Sequence, residues 1–71
     1  MRIDKDNYRL CYSEEPDGTF WFCLGIFKTP DKSHANLAGF YGSNTGDEPT
    51  LTSENQVLAW AKSKLESEKL S

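Results

Sequence analysis

The stretch Thr19–Phe27, TFWFCLGIF, is the densest apolar run in the chain. Its nine residues are rich in aromatic and β-branched side chains and too few for a buried helix, so they predict the central strand of a small sheet. Immediately before it stands Glu14-Glu15-Pro16-Asp17-Gly18. Pro16 presets the backbone of a turn, Asp17 tolerates its second position, and Gly18 takes the left-handed position that closes a three-residue hairpin loop with a bulge. On the far side of the turn, Tyr8–Ser13 alternates Tyr8, Leu10 and Tyr12 with Arg9, Cys11 and Ser13, the period of a half-buried strand.

With Glu15 and Thr19 flanking the loop, each step outward adds one residue to both strands. Glu14 then faces Phe20, Ser13 faces Trp21, Tyr12 faces Phe22, Cys11 faces Cys23 and Leu10 faces Leu24. Tyr8, Leu10, Tyr12, Phe20, Phe22, Leu24 and Ile26 share one face, the expected core. Arg9, Cys11, Ser13, Trp21, Cys23, Gly25 and Phe27 share the other. A slip by one residue would bring Arg9 and Ser13 into the buried row, so the apolar pattern and the turn agree.

Lys28–Asn36 is polar, contains Pro30 and reads as a second connection, and Leu37–Ser43, LAGFYGS, reads as a third strand. A loop centred near Lys32 pairs Phe40 with Leu24, Ala38 with Ile26 and Tyr41 with Cys23. It also sets Gly25 opposite Gly39, a shallow floor walled by Trp21, Phe27, Leu37 and Tyr41. After the loop Asn44–Thr50, Thr52 or Ser53 caps a helix, and Ser53 with Gln56 has capping-box spacing. Val57, Ala61 and Leu65 form its apolar stripe, with Leu58 and Trp60 on the flanks. Residues Met1–Asn7 are polar and read as a frayed lead-in. The expected fold is a single α+β domain over 1–71, with strands near 8–13, 19–28 and 37–43 and a helix near 53–69. Its three-stranded antiparallel sheet, in β-β-β-α order, carries the helix on one face.

A chain of 71 residues buries only about 60% of the surface it exposes when unfolded, which favours help from an oligomer or a partner. Eight Lys and Arg against eleven Asp and Glu give a net charge of −3, without the positive field of a nucleic-acid binder. Neither a signal-peptide core nor a membrane-length apolar window is present, so a cytoplasmic location is expected, with Cys11 and Cys23 as reduced thiols.

Little in the chain supports catalysis. His34, with Asp31 and Ser33 nearby in a loop, reads as a solvated histidine, and Glu14 and Glu15 sit on an exposed hairpin shoulder. Two cysteines and one histidine fall short of four zinc ligands. Directly opposed, Cys11 and Cys23 fall within the span of a disulfide, but in a reducing compartment they read as two small apolar side chains. The glycine-flanked stretch Gly42-Ser43-Asn44-Thr45-Gly46 lacks a Lys-Ser/Thr ending and runs into Asp47 and Glu48, so it reads as an ordinary loop. No enzyme, cofactor or metal is expected.

Glu14, Asp17, Gly18, Pro30, Asp31, Gly39 or Gly42, Thr52, Ala59 and Ala61 fall in an order similar to that of the HicB-type antitoxins. That small domain runs strand, acidic Asp-Gly turn, strand, Pro-Asp, glycine-containing strand and capped helix. The insert Asn44–Thr50 departs from the pattern, and the shared positions are mostly turn and cap residues. The resemblance implies a regulatory binding role.

The expected function is therefore a small non-enzymatic protein-binding module, a regulator or inhibitor that occupies a partner's surface. Its contact residues would be Trp21, Phe27, Leu37 and Tyr41, with Arg9 beside them, since aromatic side chains around a depression are typical of binding hot spots. A homodimer through the same face is the competing use. The alternative is a nucleic-acid-associated regulator using Arg2, Lys5, Arg9, Lys28 and Lys32, disfavoured by the acidic charge balance.

Overall fold

The computed structural model describes every residue except Asp47 and Ser71, together with all side chains other than those of Asn44 and residues 68–70. Its strands are β1 (Arg2–Lys5), β2 (Tyr8–Glu14), β3 (Phe20–Phe27) and β4 (Leu37–Gly42), and its helix is α1 (Glu54–Leu70). The strands form one antiparallel sheet in the order β1-β2-β3-β4. The fold is α+β with one C-terminal helix, but the sheet has four strands, not three.

The extra strand lies in the segment expected to fray. Arg2–Lys5 pairs with Tyr8–Cys11 across a two-residue turn, with Lys5 opposite Tyr8 and Ile3 opposite Leu10. Asp6 supplies the left-handed residue of that turn at φ +50, a conformation that aspartate adopts more readily than most residues. Ile3 is the one apolar side chain of this strand, and it packs against the core.

The β2–β3 pairing is the one that the turn dictates, from Glu14 opposite Phe20 through Cys11 opposite Cys23 to Tyr8 opposite Ile26. Gly18 is left-handed at φ +88, and its N–H donates to the Glu15 carbonyl at 3.0 Å. Asp17 Oδ1 accepts the Thr19 N–H at 3.0 Å and the Thr19 hydroxyl at 2.6 Å, locking the loop to the start of β3.

The β3–β4 pairing departs from expectation by one residue. Phe27 faces Leu37 as the loop length implies, but a β-bulge at Ala38 shifts every later pair, so that Gly39 faces Ile26, Phe40 faces Gly25 and Tyr41 faces Leu24. Because side chains alternate with a period of two, one extra residue exchanges the faces of all that follow. Tyr41 turns to the helix side and packs on the core, while Phe40 turns to the other side and stays 48% exposed.

The helix covers the face that the alternation marks as core. Leu10, Tyr12, Phe22, Leu24 and Ile26 from the sheet are buried with Leu51, Val57 and Ala61. Phe22 meets the Trp60 ring edge-on at 4.6 Å between centroids, and the Tyr12 hydroxyl donates to Glu54 at 2.9 Å. At the helix start Ser53 Oγ accepts the Gln56 N–H at 3.2 Å, and Gln56 Oε1 accepts the Thr52 N–H at 2.6 Å. This is the expected reciprocal cap, with the return bond made one residue earlier.

The connection into the helix is pinned at Glu48, whose side chain is only 7% exposed. Its carboxylate accepts the Trp60 indole N–H at 2.9 Å and pairs with Lys64 at 2.9 Å, and Lys64 also lies 4.9 Å over the Tyr41 ring. Burial raises the Glu48 carboxyl, but the hydrogen bonds from Lys64 and Trp60 lower it by more, leaving it below its ordinary value. Past the end of β4, the free edge of β3 is satisfied by the Ser43 hydroxyl, which accepts the Phe22 N–H at 3.2 Å, and by the Leu51 carbonyl, which accepts the Phe20 N–H at 2.9 Å.

Gly42 makes this close approach possible. At φ +155 it adopts a conformation closed to most residues, and a Cβ there would collide with the Phe22 carbonyl and lie 2.7 Å from Cys23 Cα. Gly42→Ala should lower the free energy of unfolding by about 2–4 kcal/mol. Gly25→Ala, whose Cβ would meet Phe27 at an ordinary 3.5 Å, should lower it by less than about 1 kcal/mol. Urea unfolding of the two variants beside the native protein checks both; equal losses would show that the approach at Gly42 is not tight.

Candidate functional site

The sheet face away from the helix carries a concavity of about 220 Å³ centred on Gly25. Three of the residues expected at a binding surface meet there: Arg9, directly opposite Gly25, and Phe27 and Leu37, which face each other. Phe27 folds back over Gly25, with its ring 3.5 Å from where a Cβ would stand, so the floor is an aromatic ring laid on a glycine. Phe40, brought to this side by the bulge, completes the apolar wall.

The other two expected residues lie elsewhere. Tyr41 is on the helix side, where its ring covers Gly39 in the way that Phe27 covers Gly25. Trp21 keeps the open side by its pairing with Ser13, but it stands six positions along β3 from Phe27, a separation of about 20 Å along the strand. It borders a separate, more polar hollow of about 250 Å³ with Glu15, Ser43 and Pro49. The floor expected between Gly25 and Gly39 therefore does not form, because those two glycines face opposite sides.

The open face is also partly covered. Lys32, in the middle of the connection between β3 and β4, reaches Asp4 on β1 at 3.3 Å. Asp4 lies two strands from β3, about 10 Å away across the sheet, so the connection arches over that end of the face. Phe27 accordingly is only 8% exposed although the helix is on the other side. Asn36 braces the arch by donating to the Asp31 carbonyl and to the Ser33 hydroxyl, each at 3.1 Å, and His34 sits exposed at the rim. Asp31 and Ser33, near His34 in the chain, are thus bonded to Asn36.

Asp4 gathers three cations. Arg9 donates through Nε and a terminal nitrogen to the same oxygen at 3.2 and 3.1 Å, Lys32 takes the other oxygen at 3.3 Å, and Arg2 stands at 3.9 Å. The hydrogen bond from Arg9 leads in holding the Asp4 carboxyl below its ordinary value, against a smaller opposing effect of burial and with help from Lys32. Three positive charges on one carboxylate leave this rim two positive, within a chain that is −3 overall.

Cys11 and Cys23, opposite each other on β2 and β3, are free, half-buried thiols bordering the same concavity. Among the described residues no three of His, Cys, Asp and Glu come together as a metal site, and no helix is long and apolar enough to cross a membrane. Of the glycine-flanked stretch, Gly42 ends β4 and Ser43–Thr45 form a short 3₁₀ turn; Asp47 lies outside the described residues. Sequence reasoning missed Phe40 and Asp4 at this site and placed Lys32 only in the nucleic-acid alternative. Phe40 depended on the bulge, and the other two are joined only by the arch.

A carboxylate with a lowered pKa stabilises the fold above its unfolded value, and that contribution is lost as pH falls through the folded value. Stability should therefore begin to decline as pH falls below about 5 and go on declining below the ordinary aspartate value of about 3.9. Asp4→Asn should show a shallower decline. It should still show some, because Asp17 and Glu48 are lowered too. Urea midpoints across that range for the native and variant proteins test this, and parallel curves would mean that the Asp4 cluster is not coupled to folding. Comparison with models of known protein families, with curated proteins and with solved structures finds no match for the chain.

Proposed function

We propose that this chain is a small non-enzymatic protein-binding module that regulates or inhibits its partner by covering part of the partner's surface. The supporting observation is the concavity at Gly25, where an apolar floor of Phe27, Leu37 and exposed Phe40 lies beside a rim of net positive charge. Such a site suits a protein segment that inserts one apolar side chain and carries a carboxylate next to it. The insert gains from desolvating Phe40 and the floor, and the carboxylate meets Arg9 and Lys32, which keep capacity for a second anion because Asp4 neutralises only one of three cations.

The nucleic-acid reading is less well supported. Of its five cations, Arg2, Arg9 and Lys32 converge on one aspartate, and Lys5 pairs opposite Tyr8, whose side chain is on the helix side. A phosphate backbone calls for cations spread along a track. The rim instead concentrates them at one point.

Selection from a displayed library of short peptides against the folded protein should enrich sequences with an aromatic or large aliphatic residue beside Asp or Glu. Phe40→Ala and Arg9→Glu should each weaken the enriched peptides by about tenfold or more, and binding should weaken as salt rises. Enrichment that ignores both substitutions would place binding elsewhere. Tight, steeply salt-dependent binding of an oligonucleotide in place of peptides would favour the nucleic-acid reading.

A further inference from the structure

Cys11 and Cys23 take no part in the core or in the charged rim, yet the ladder holds them face to face. Two backbone bonds fix what kind of pair they form. At one end Phe27 donates its N–H to the Asn7 carbonyl at 2.7 Å, and at the other Glu15 donates to the Thr19 carbonyl at 2.7 Å. Hydrogen-bonded and non-hydrogen-bonded pairs alternate along an antiparallel ladder. Counting inward by twos from either end makes Cys11–Cys23 a hydrogen-bonded pair.

The Cα atoms of such a pair are about 5.5 Å apart, inside the span of roughly 4.4–6.8 Å that a disulfide accepts. Their Cβ atoms are at the wider end of about 4.5–5.5 Å, whereas a relaxed disulfide sets them about 3.8 Å apart. Closing the bond draws the strands together against their own ladder, and a strained disulfide is more easily reduced. Access is provided as well, since both thiols are half-buried and border the concavity rather than the core.

We infer that Cys11 and Cys23 form a reversible dithiol–disulfide couple, a covalent modification site on the open sheet face that a hydroperoxide closes and glutathione reopens. One thiolate attacks the peroxide oxygen, the O–O bond breaks, and the departing oxygen leaves as alcohol or water. The resulting sulfenic acid is attacked by the second thiolate, the S–S bond forms, and hydroxide leaves to be protonated. Two thiols and one hydroperoxide thus become one disulfide, one alcohol and one water. Reopening oxidises two glutathione molecules to their disulfide. Burial, followed by the charge of neighbouring Cys11, raises the Cys23 thiol above its ordinary value, so closure quickens as the solution becomes alkaline.

The test treats the native protein with one equivalent of hydrogen peroxide, alkylates the remaining thiols, and reads the intact mass and the linked peptide. The expected result is a monomer lighter by two hydrogens, linked Cys11 to Cys23, unchanged in circular dichroism and restored by millimolar glutathione. Its formation should be several-fold faster at mildly alkaline than at neutral pH. Cys11→Ser should instead leave Cys23 as a sulfenic acid or a glutathione adduct. Independent oxidation of each thiol in the native protein, covalent dimers alone, or a link that persists in millimolar glutathione would overturn the inference.

Discussion

The alignment of β2 with β3 is the constraint from which the rest of the molecule follows. A three-residue turn with Gly18 at φ +88 sets Glu15 opposite Thr19, and the same pairing runs unbroken to Asn7 and Phe27 at the far end of the hairpin. Because the side-chain period in a strand is two, that choice sends Leu10, Tyr12, Phe22, Leu24 and Ile26 to one side together. The helix then has one place to put Val57 and Ala61. Both are buried there, against the sheet residues that the turn selected.

This part of the fold was legible because two independent signals, turn chemistry and apolar alternation, agree over the hairpin. The β3–β4 pairing had no such redundancy. Phe40 and Tyr41 are adjacent aromatics, so either phase puts one ring on each face, and the apolar pattern cannot see a bulge at Ala38. What decides the phase is tertiary: Tyr41 gains the core and Lys64, which Glu48 already holds against Trp60. The first strand is hard to read from sequence for a related reason. With Ile3 as its single apolar side chain it carries no alternation worth reading, and it forms because the edge of β2 and the turn at Asp6 offer it a ladder.

The candidate site was half legible. Arg9, Phe27 and Leu37 follow from the hairpin and from the first pair of the second connection, both of which the loop lengths determine. Trp21 shares their face, but sharing a face says nothing of distance along a strand. Asp4 and Lys32 are separated by most of the sheet in sequence and meet only because the second connection arches across it. A long-range ion pair of that kind leaves no periodic trace in the sequence.

One helix cannot cover both sides of a four-stranded sheet, so the chain handles its second side differently. At one end Phe27 is laid on Gly25, and the connection folds over them and is tied down by Lys32 to Asp4. Both partners of that ion pair are partly exposed, Lys32 at 17% and Asp4 at 30%, so solvent screens the tie. The face beside it keeps Phe40 in solvent and two thiols at the edge of the hollow. The main core cluster lies on the other side of the sheet, so Phe40 and the two thiols do not take part in it. Phe40, an apolar residue 48% exposed next to a cluster with surplus positive charge, is the feature on which the proposed binding role rests.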